Sequence, residues 1–293
     1  MLSSCARSSF LVYCRAVRIP LPVLTIPVAV LVILFAALWV GLRIAPAPFP
    51  KVPLAAGSVE TMPLPSGLPA PVERYYRTIY GERLPVIRSM VISGRAEIRP
   101  FGSLTLQARF RFTHIVGRSY RHYIEAMLFG VIPIMKVNES YIDGSSRFET
   151  PAGLEEGEPK SEQAANLGMW AELSTAPAAL LSDPRVRWEP LDGESALLVV
   201  PGDGGGTERF VVRFDPGTGL MTLMEVMRYQ KKDSAEKTLW VTNAVAWGKL
   251  GGYPFNTVGS AWWYGAKEPW AIFRAEDTVL NADLSSYING RGP

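Results

Sequence analysis

SLTLQARFRFTH, residues 103–114, decides the fold. Leu104, Leu106, Ala108, Phe110 and Phe112 alternate there with Thr105, Gln107, Arg109, Arg111 and Thr113. Successive side chains leave a strand on opposite sides, so a period of two marks a strand with one dry face and one wet face. The segment before it, VIRSMVISGRAEIRP (86–100), is separated from it by Pro100-Phe101-Gly102, a turn-sized gap. The two are expected to pair as a hairpin, with Leu104, Leu106, Phe110 and Phe112 turned toward the core.

Strand-like segments continue outward from this hairpin. SYRHYIEAMLFGVIPIMKV (119–137) reads as a less regular strand, bent or bulged where Gly130 and Pro133 interrupt it. YIDG (141–144) follows. RVRWEPLDGESALLVVP (185–201) reads as a hairpin around Asp192-Gly193, and TERFVVRFDPGTGLMTLMEVMRYQ (207–230) as another through Asp215–Gly219. KTLWVTNAVAWGKL (237–250), FNTVGSAWWYG (255–265) and PWAIFRAEDTVLN (269–281) complete the strand set. Two helical stretches break the series. In PVERYYRTIYGE (71–82), Pro71 suits the first turn, and Val72, Tyr75, Tyr76 and Ile79 fall on one face. Between the two strand groups, Ser161 can cap a helix running through AANLGMWAELS, with a further short turn in APAALLS. Repeated hairpins with one helical insertion give an α+β class, mostly antiparallel β. The expected architecture is a large curled sheet, a half-barrel cupping a few short helices.

The N-terminal end is of another kind. From Ile19 to Leu42 no charged residue occurs, and Arg18 and Arg43 fence the run. A helix of that length crosses a hydrocarbon core of about 30 Å. The run is longer than the apolar core of a cleaved signal peptide and has no polar face, unlike a half-exposed core helix. Arg7, Arg15 and Arg18 precede it with no acid among them, so the positive-inside rule places the N-terminus in the cytoplasm. The expected organisation is a cytoplasmic tail (1–18), a transmembrane helix (19–42), a proline-rich stalk (43–68) and a β body (69–293) outside the cell membrane.

The chain has 293 residues, 48% of them hydrophobic, and a net charge of +3, which makes no general case for nucleic acid. Its two cysteines, Cys5 and Cys14, precede the anchor, so the body has no disulfide. No cysteine after the run offers a site for bacterial lipid attachment. His114 and His122 are the only histidines, with no thiol nearby and no acid at metal-ligand spacing; they read as polar strand-face residues, and neither metal nor cofactor is expected. No G-x-S-x-G elbow occurs. Gly202–Gly206 is followed by strand periodicity and reads as a hairpin loop, not a phosphate cradle. Asp143, Glu155, Glu156 and Glu158 read as solvated surface acids.

Several stretches, in order, resemble a known family: LPAPVERYYR (68–77), MWAELSTAPAALLSDPRVRWEPLD (169–192), FVVRFDPGTGLM (210–221), GGYPFNTVGSAWWY (251–264) and EPWAIFRAEDTVLN (268–281). Together they are similar to a bacterial family of uncharacterised membrane-anchored proteins, a domain of unknown function. The resemblance covers residues 68–281. It implies the curled sheet of lipoprotein carriers of the LolA, LolB and LppX kind, and with it a ligand carrying acyl chains. It implies no catalytic residue.

Methionine and tryptophan crowd the late strands, where they make adaptable walls for apolar ligands. Met224, Trp240 and Trp263 are the expected lining residues. The expected function is a non-catalytic, membrane-tethered binding module for a lipid or other apolar ligand. The competing reading is a structural or interaction component of the cell envelope whose sheet is filled by its own helices. An enzyme ranks last.

Overall fold

A strand with one apolar face must bury that face, and a chain of hairpins does so by curling. The computed structural model describes residues 21–293. The expected cytoplasmic tail, with Cys5, Cys14 and the three arginines, lies outside the described residues. The chain divides between Val40 and Gly41 into two units.

Helix α1 runs Leu21–Gly41 with Pro27 inside it, all but its last residue in the first unit. Its first four side chains are outside the description, and no helix among the described residues is long and apolar enough to cross a membrane. The described apolar side chains of α1 are nevertheless exposed on every side, Ile33 at 66% and Phe35 at 70%.

The second unit holds β1 (Thr61–Pro63), α2 (Ala70–Tyr80) and β2 (Arg83–Pro85). Six strands follow: β3 (Ser89–Phe101), β4 (Leu104–Ile115), β5 (Ser119–Leu128), β6 (Ile132–Ile142), β7 (Ser145–Thr150) and β8 (Gly153–Glu156). The helical link is α3 (Pro159–Glu172), a 3-10 turn (Leu173–Thr175) and α4 (Ala178–Ser182). Seven strands complete the chain: β9 (Arg187–Pro190), β10 (Ser195–Pro201), β11 (Thr207–Phe214), β12 (Met221–Arg228), β13 (Thr238–Leu250), β14 (Tyr253–Trp263) and β15 (Ala271–Leu280).

One antiparallel sheet of thirteen strands results, in the order β8-β7-β6-β5-β4-β3-β15-β14-β13-β12-β11-β10-β9. It is two meanders joined at a seam, where β15 pairs with β3. Consequently β8 and β9, joined in sequence by the helical link, are the two opposite edges. The link has to cross the sheet's inner face from edge to edge. The contacts of α3 show the curl that permits this: it meets β6 and β7 on one limb and β12 on the other. Across the opening, the Tyr141 hydroxyl of β6 donates to Asp203 in the β10–β11 loop at 2.8 Å.

The expected hairpin forms, with Phe101 opposite Leu104 and Gly102 at φ +73°. Phe110 and Phe112 face the helices, beside Ala171 and Glu172. Trp170, fully buried, anchors α3 and donates from its indole to the Pro201 carbonyl at 3.1 Å. Helix α2 closes one end, with Tyr75 against Phe214 and Trp247, and the Tyr76 hydroxyl on the Pro177 carbonyl.

Three local expectations change. Residues 119–137 are two strands, not one bent strand. They turn at Phe129-Gly130, both with positive φ, which interrupts the apolar run with a tight reversal. Helix α3 begins at Pro159 after Glu158, and the Ser161 hydroxyl bonds Glu155 instead of capping. The face of β4 expected to be wet is largely covered: Arg111 is buried, bonding Ser93 and the Pro50 carbonyl. Its cover comes from the segment expected as a stalk, where Phe49 and Val52 are buried, with Phe49 under Arg109, and from the C-terminal tail, where Arg121 donates to the Gly292 carbonyl.

Candidate functional site

The helices do not fill the cup completely. Between the limbs, beside α3, lies a cleft of about 790 Å³. Trp263 and Trp270 wall it from the β14–β15 side, and Phe148 from β7. Arg228, at the end of β12, lies at its base with its guanidinium carbon 4.4 Å from the Trp240 ring centre and 5.6 Å from that of Trp263. Arg99, Arg147 and Lys160 also line it. A wall of indoles with cations beside it has the chemistry of an amphiphile site, apolar for a chain and positive for an anionic head.

Of the three residues expected to line a ligand site, the structure brings two together. Trp263 is on the cleft. Trp240 stands behind it, buried, with ring centres 6.4 Å apart. Met224 is buried in the same core and does not line the cleft. Register explains the split: Trp240 pairs with Trp263 across β13 and β14, whereas Met224 pairs with Thr242, two residues further along β13.

Deeper in the cup is a cluster that the sequence does not announce. His114 on β4 and His122 on β5 are diagonal neighbours, since His114 pairs with Tyr120 and Phe112 with His122. Both imidazoles are buried on the inner face, and Glu172, the last residue of α3, reaches them. One oxygen, Glu172 Oε2, lies 3.1 Å from His114 Nε2 and 2.7 Å from His122 Nε2. On the other side of His122, Nδ1 is 3.6 Å from Glu139, whose carboxylate also accepts from the Tyr120 hydroxyl at 2.6 Å. The reading of two isolated polar histidines is thereby corrected. An acid some fifty residues along the chain is carried to them by the crossing helix, which no local spacing reveals. Among the described residues, these three side chains are the group whose ligand atoms converge as a metal's would.

Burial opposes charge on all three groups, with different outcomes. It dominates at His114, whose pKa is lowered despite Glu172. At His122 the burial penalty is outweighed by Glu172 and Glu139, and the pKa rises to about 9. At Glu172 burial is outweighed by the two imidazoles, and the pKa falls to about 2. A raised histidine pKa contributes stability that is complete below the ordinary value of 6.5 and is lost as pH climbs through about 9. In chelating buffer the melting temperature is therefore expected to fall between pH 6.5 and about 9. Glu172→Gln should flatten that fall. A wild-type melting temperature that stays level over the interval contradicts the assignment of the charge to His122.

Residues 58–275 match the model of a family of unknown function, DUF6544. No curated protein matches the chain. Among solved structures, a LolA superfamily protein from Nitrosomonas europaea is similar with a TM-score of 0.45 at 10% identity, over 76% of this chain and 99% of that one. A domain described as an outer membrane lipoprotein-sorting protein, from Vibrio parahaemolyticus, has a TM-score of 0.39 at 9% identity, over 72% and 89% of the two chains. A DUF1329 family protein from Desulfovibrio piger has a TM-score of 0.39 at 13% identity, over 67% and 86%.

Proposed function

The chain belongs to DUF6544, a family of unknown function, and from that premise we propose that it is a membrane-tethered, non-catalytic binding module for a lipid or other apolar-tailed ligand. The observation that carries this reading is the cleft. Its volume of about 790 Å³ is well above the ~300 Å³ at which small-molecule pockets begin. A space of this size beside α3 supports the binding reading over a sheet filled entirely by its own helices.

Trp263→Glu is expected to cut uptake of a fluorescent fatty acid by the detergent-solubilised chain at least about tenfold, roughly the loss of 1.4 kcal/mol of binding. It should lower the melting temperature little, because Trp263 is only partly buried. Trp240→Glu places a charge at a buried position and should lower both together. If Trp263→Glu binds the probe as the wild type does, the cleft is not the site. Solvent extraction of the purified chain that repeatedly returns no lipid counts against the ligand class.

Tethering rests on residues 19–42 and on the exposure of α1. A helix that is apolar on every side is suited to a non-aqueous surrounding. A second apolar feature supports it within the body. The β5–β6 tip exposes Val131 at 73% and Ile132 at 50%. Its Phe129 amide donates to the carbonyl of Gly41 at 2.8 Å. An exposed apolar loop of this kind is suited to a bilayer face. The arginines before the anchor put the body outside. A β-lactamase fused after Pro293 should confer resistance, and activity confined to the cytoplasm would reverse the orientation.

A further inference from the structure

We propose that His114, His122 and Glu172 form a binding site for a divalent transition-metal ion, with zinc the ion their donor set suits best. Four features of the site carry this.

The first is convergence. The ligand atoms of the three side chains all lie within 4.8 Å of one another. Two come from adjacent strands of one hairpin and the third from the end of a helix, three rigid elements that hold the donors in place.

The second is the quality of the contacts. His114 Nδ1 and Nε2, His122 Nε2 and Glu172 Oε2 are buried, and none makes a well-formed hydrogen bond. Buried polar atoms are almost always bonded, and exceptions call for an explanation such as a bound ion. The Glu172 oxygen is close to both ring nitrogens, yet neither contact counts as a well-formed hydrogen bond along a ring-nitrogen axis. A hydrogen bond needs the acceptor on that axis. Ligands of one ion need only aim their lone pairs at the ion, and the carboxylate then sits to the side.

The third is the setting of His122. A ligating imidazole usually turns its other nitrogen to a carboxylate or carbonyl, which orients the ring and raises its basicity. Glu139 stands on that side of His122, itself held by Tyr120.

The fourth is chemical. Two imidazoles and one carboxylate are the donor set of three-ligand zinc sites that keep a fourth position open. Magnesium and calcium prefer all-oxygen shells. A cavity of about 80 Å³, lined by Glu172, Asn243, Asn256 and Ser260, adjoins the carboxylate. It has room for a water beside Glu172. Arg228 is the nearby fixed cation, and it acts on Glu139 as well as Glu172. The incoming ion displaces the proton of His122, so the positive charge of the site grows by one unit, against two carboxylates.

The test uses the full chain in detergent with Cys5→Ser and Cys14→Ser, so that no thiol competes. After treatment with chelator, one equivalent of zinc is expected to bind and to raise the melting temperature by several degrees. Cobalt(II) should give visible bands of four-coordinate intensity that zinc bleaches. Glu172→Gln, which keeps the shape of the side chain, should weaken zinc at least about tenfold and abolish the bands. A folded wild-type chain that gives no cobalt bands and takes up only substoichiometric zinc overturns the site, even if the variant fails to fold. Zinc binding unchanged in a folded Glu172→Gln chain also overturns it, because the metal then lies elsewhere. Neither readout involves the lipid cleft, so the two readings can fail separately.

Discussion

Phe110→Asp is expected to abolish stable folding of the body. Phe110 is 2% exposed on the inner face of β4. Its ring centre lies 4.6 Å from that of Phe112 and 5.2 Å from that of Phe273. The substitution removes the aromatic packing and leaves a carboxylate in its place with no cation across the apolar contacts. Either the charge is buried, or the group is protonated and its polar atoms go unpaired. Loss of a buried phenylalanine alone costs about 3–5 kcal/mol. The added polar burial brings the total to the range where single mutations unfold domains. In a body of this size each kcal/mol moves the melting temperature by about 2–4 °C, so a fall of at least ~10 °C is the mildest outcome expected. Phe110→Leu is the control, with a cost of about 1–2 kcal/mol from the lost volume. A Phe110→Asp chain that melts with the wild type would mean that the face is reversed.

Gly94→Val should be nearly as damaging, for a reason that concerns backbone and not polarity. Gly94 lies on β3 opposite Phe110 on one side and Ala275 on the other. The ladder between β3 and β15 slips just beyond it, between Ala275 and Asp277. A Cβ at 94 would overlap the carbonyl oxygen of Arg274, and it would meet the Phe110 ring at 3.1 Å. The first contact is with backbone, which cannot rotate away. This ladder is the seam where the two meanders join, so opening it divides the sheet. We expect a loss of at least about 3 kcal/mol, read as a chemical-denaturation midpoint shifted down with the slope unchanged. Gly57, which faces the Asn281 carbonyl in the same way, provides a second position for the same measurement. A Gly94→Val chain as stable as the wild type would show that the seam can spread at no cost.

The alternation in residues 103–114 settled both the strand and its inward face, because a period of two is a local property of the backbone. The turns at Gly102, Asp192-Gly193 and Asp215–Gly219 were legible for the same reason: turn residues answer to nearby φ and ψ. So was α2, whose spaced tyrosines lie on one buried face. Residues 119–137 were harder, since a glycine in an apolar run serves a bulge and a reversal equally well.

What the sequence by itself determined is the set of strands and helices, the curled α+β class and the apolar stretch of residues 19–42. Only the tertiary structure decided which strands are neighbours, and everything functional follows from that. The β15–β3 seam makes β8 and β9 the edges, which sends α3 across the cup. The crossing delivers Glu172 to His114 and His122, and its incomplete filling leaves the cleft with Trp263 on its wall. Trp240 and Trp263 have the same kind of local sequence, yet one is buried and the other lines the opening, because pairing and curl determine which surface a side chain meets. Periodicity records which side of a strand faces in. It carries no record of a partner about fifty residues away, because that contact depends on how long-range strand pairing closes the sheet.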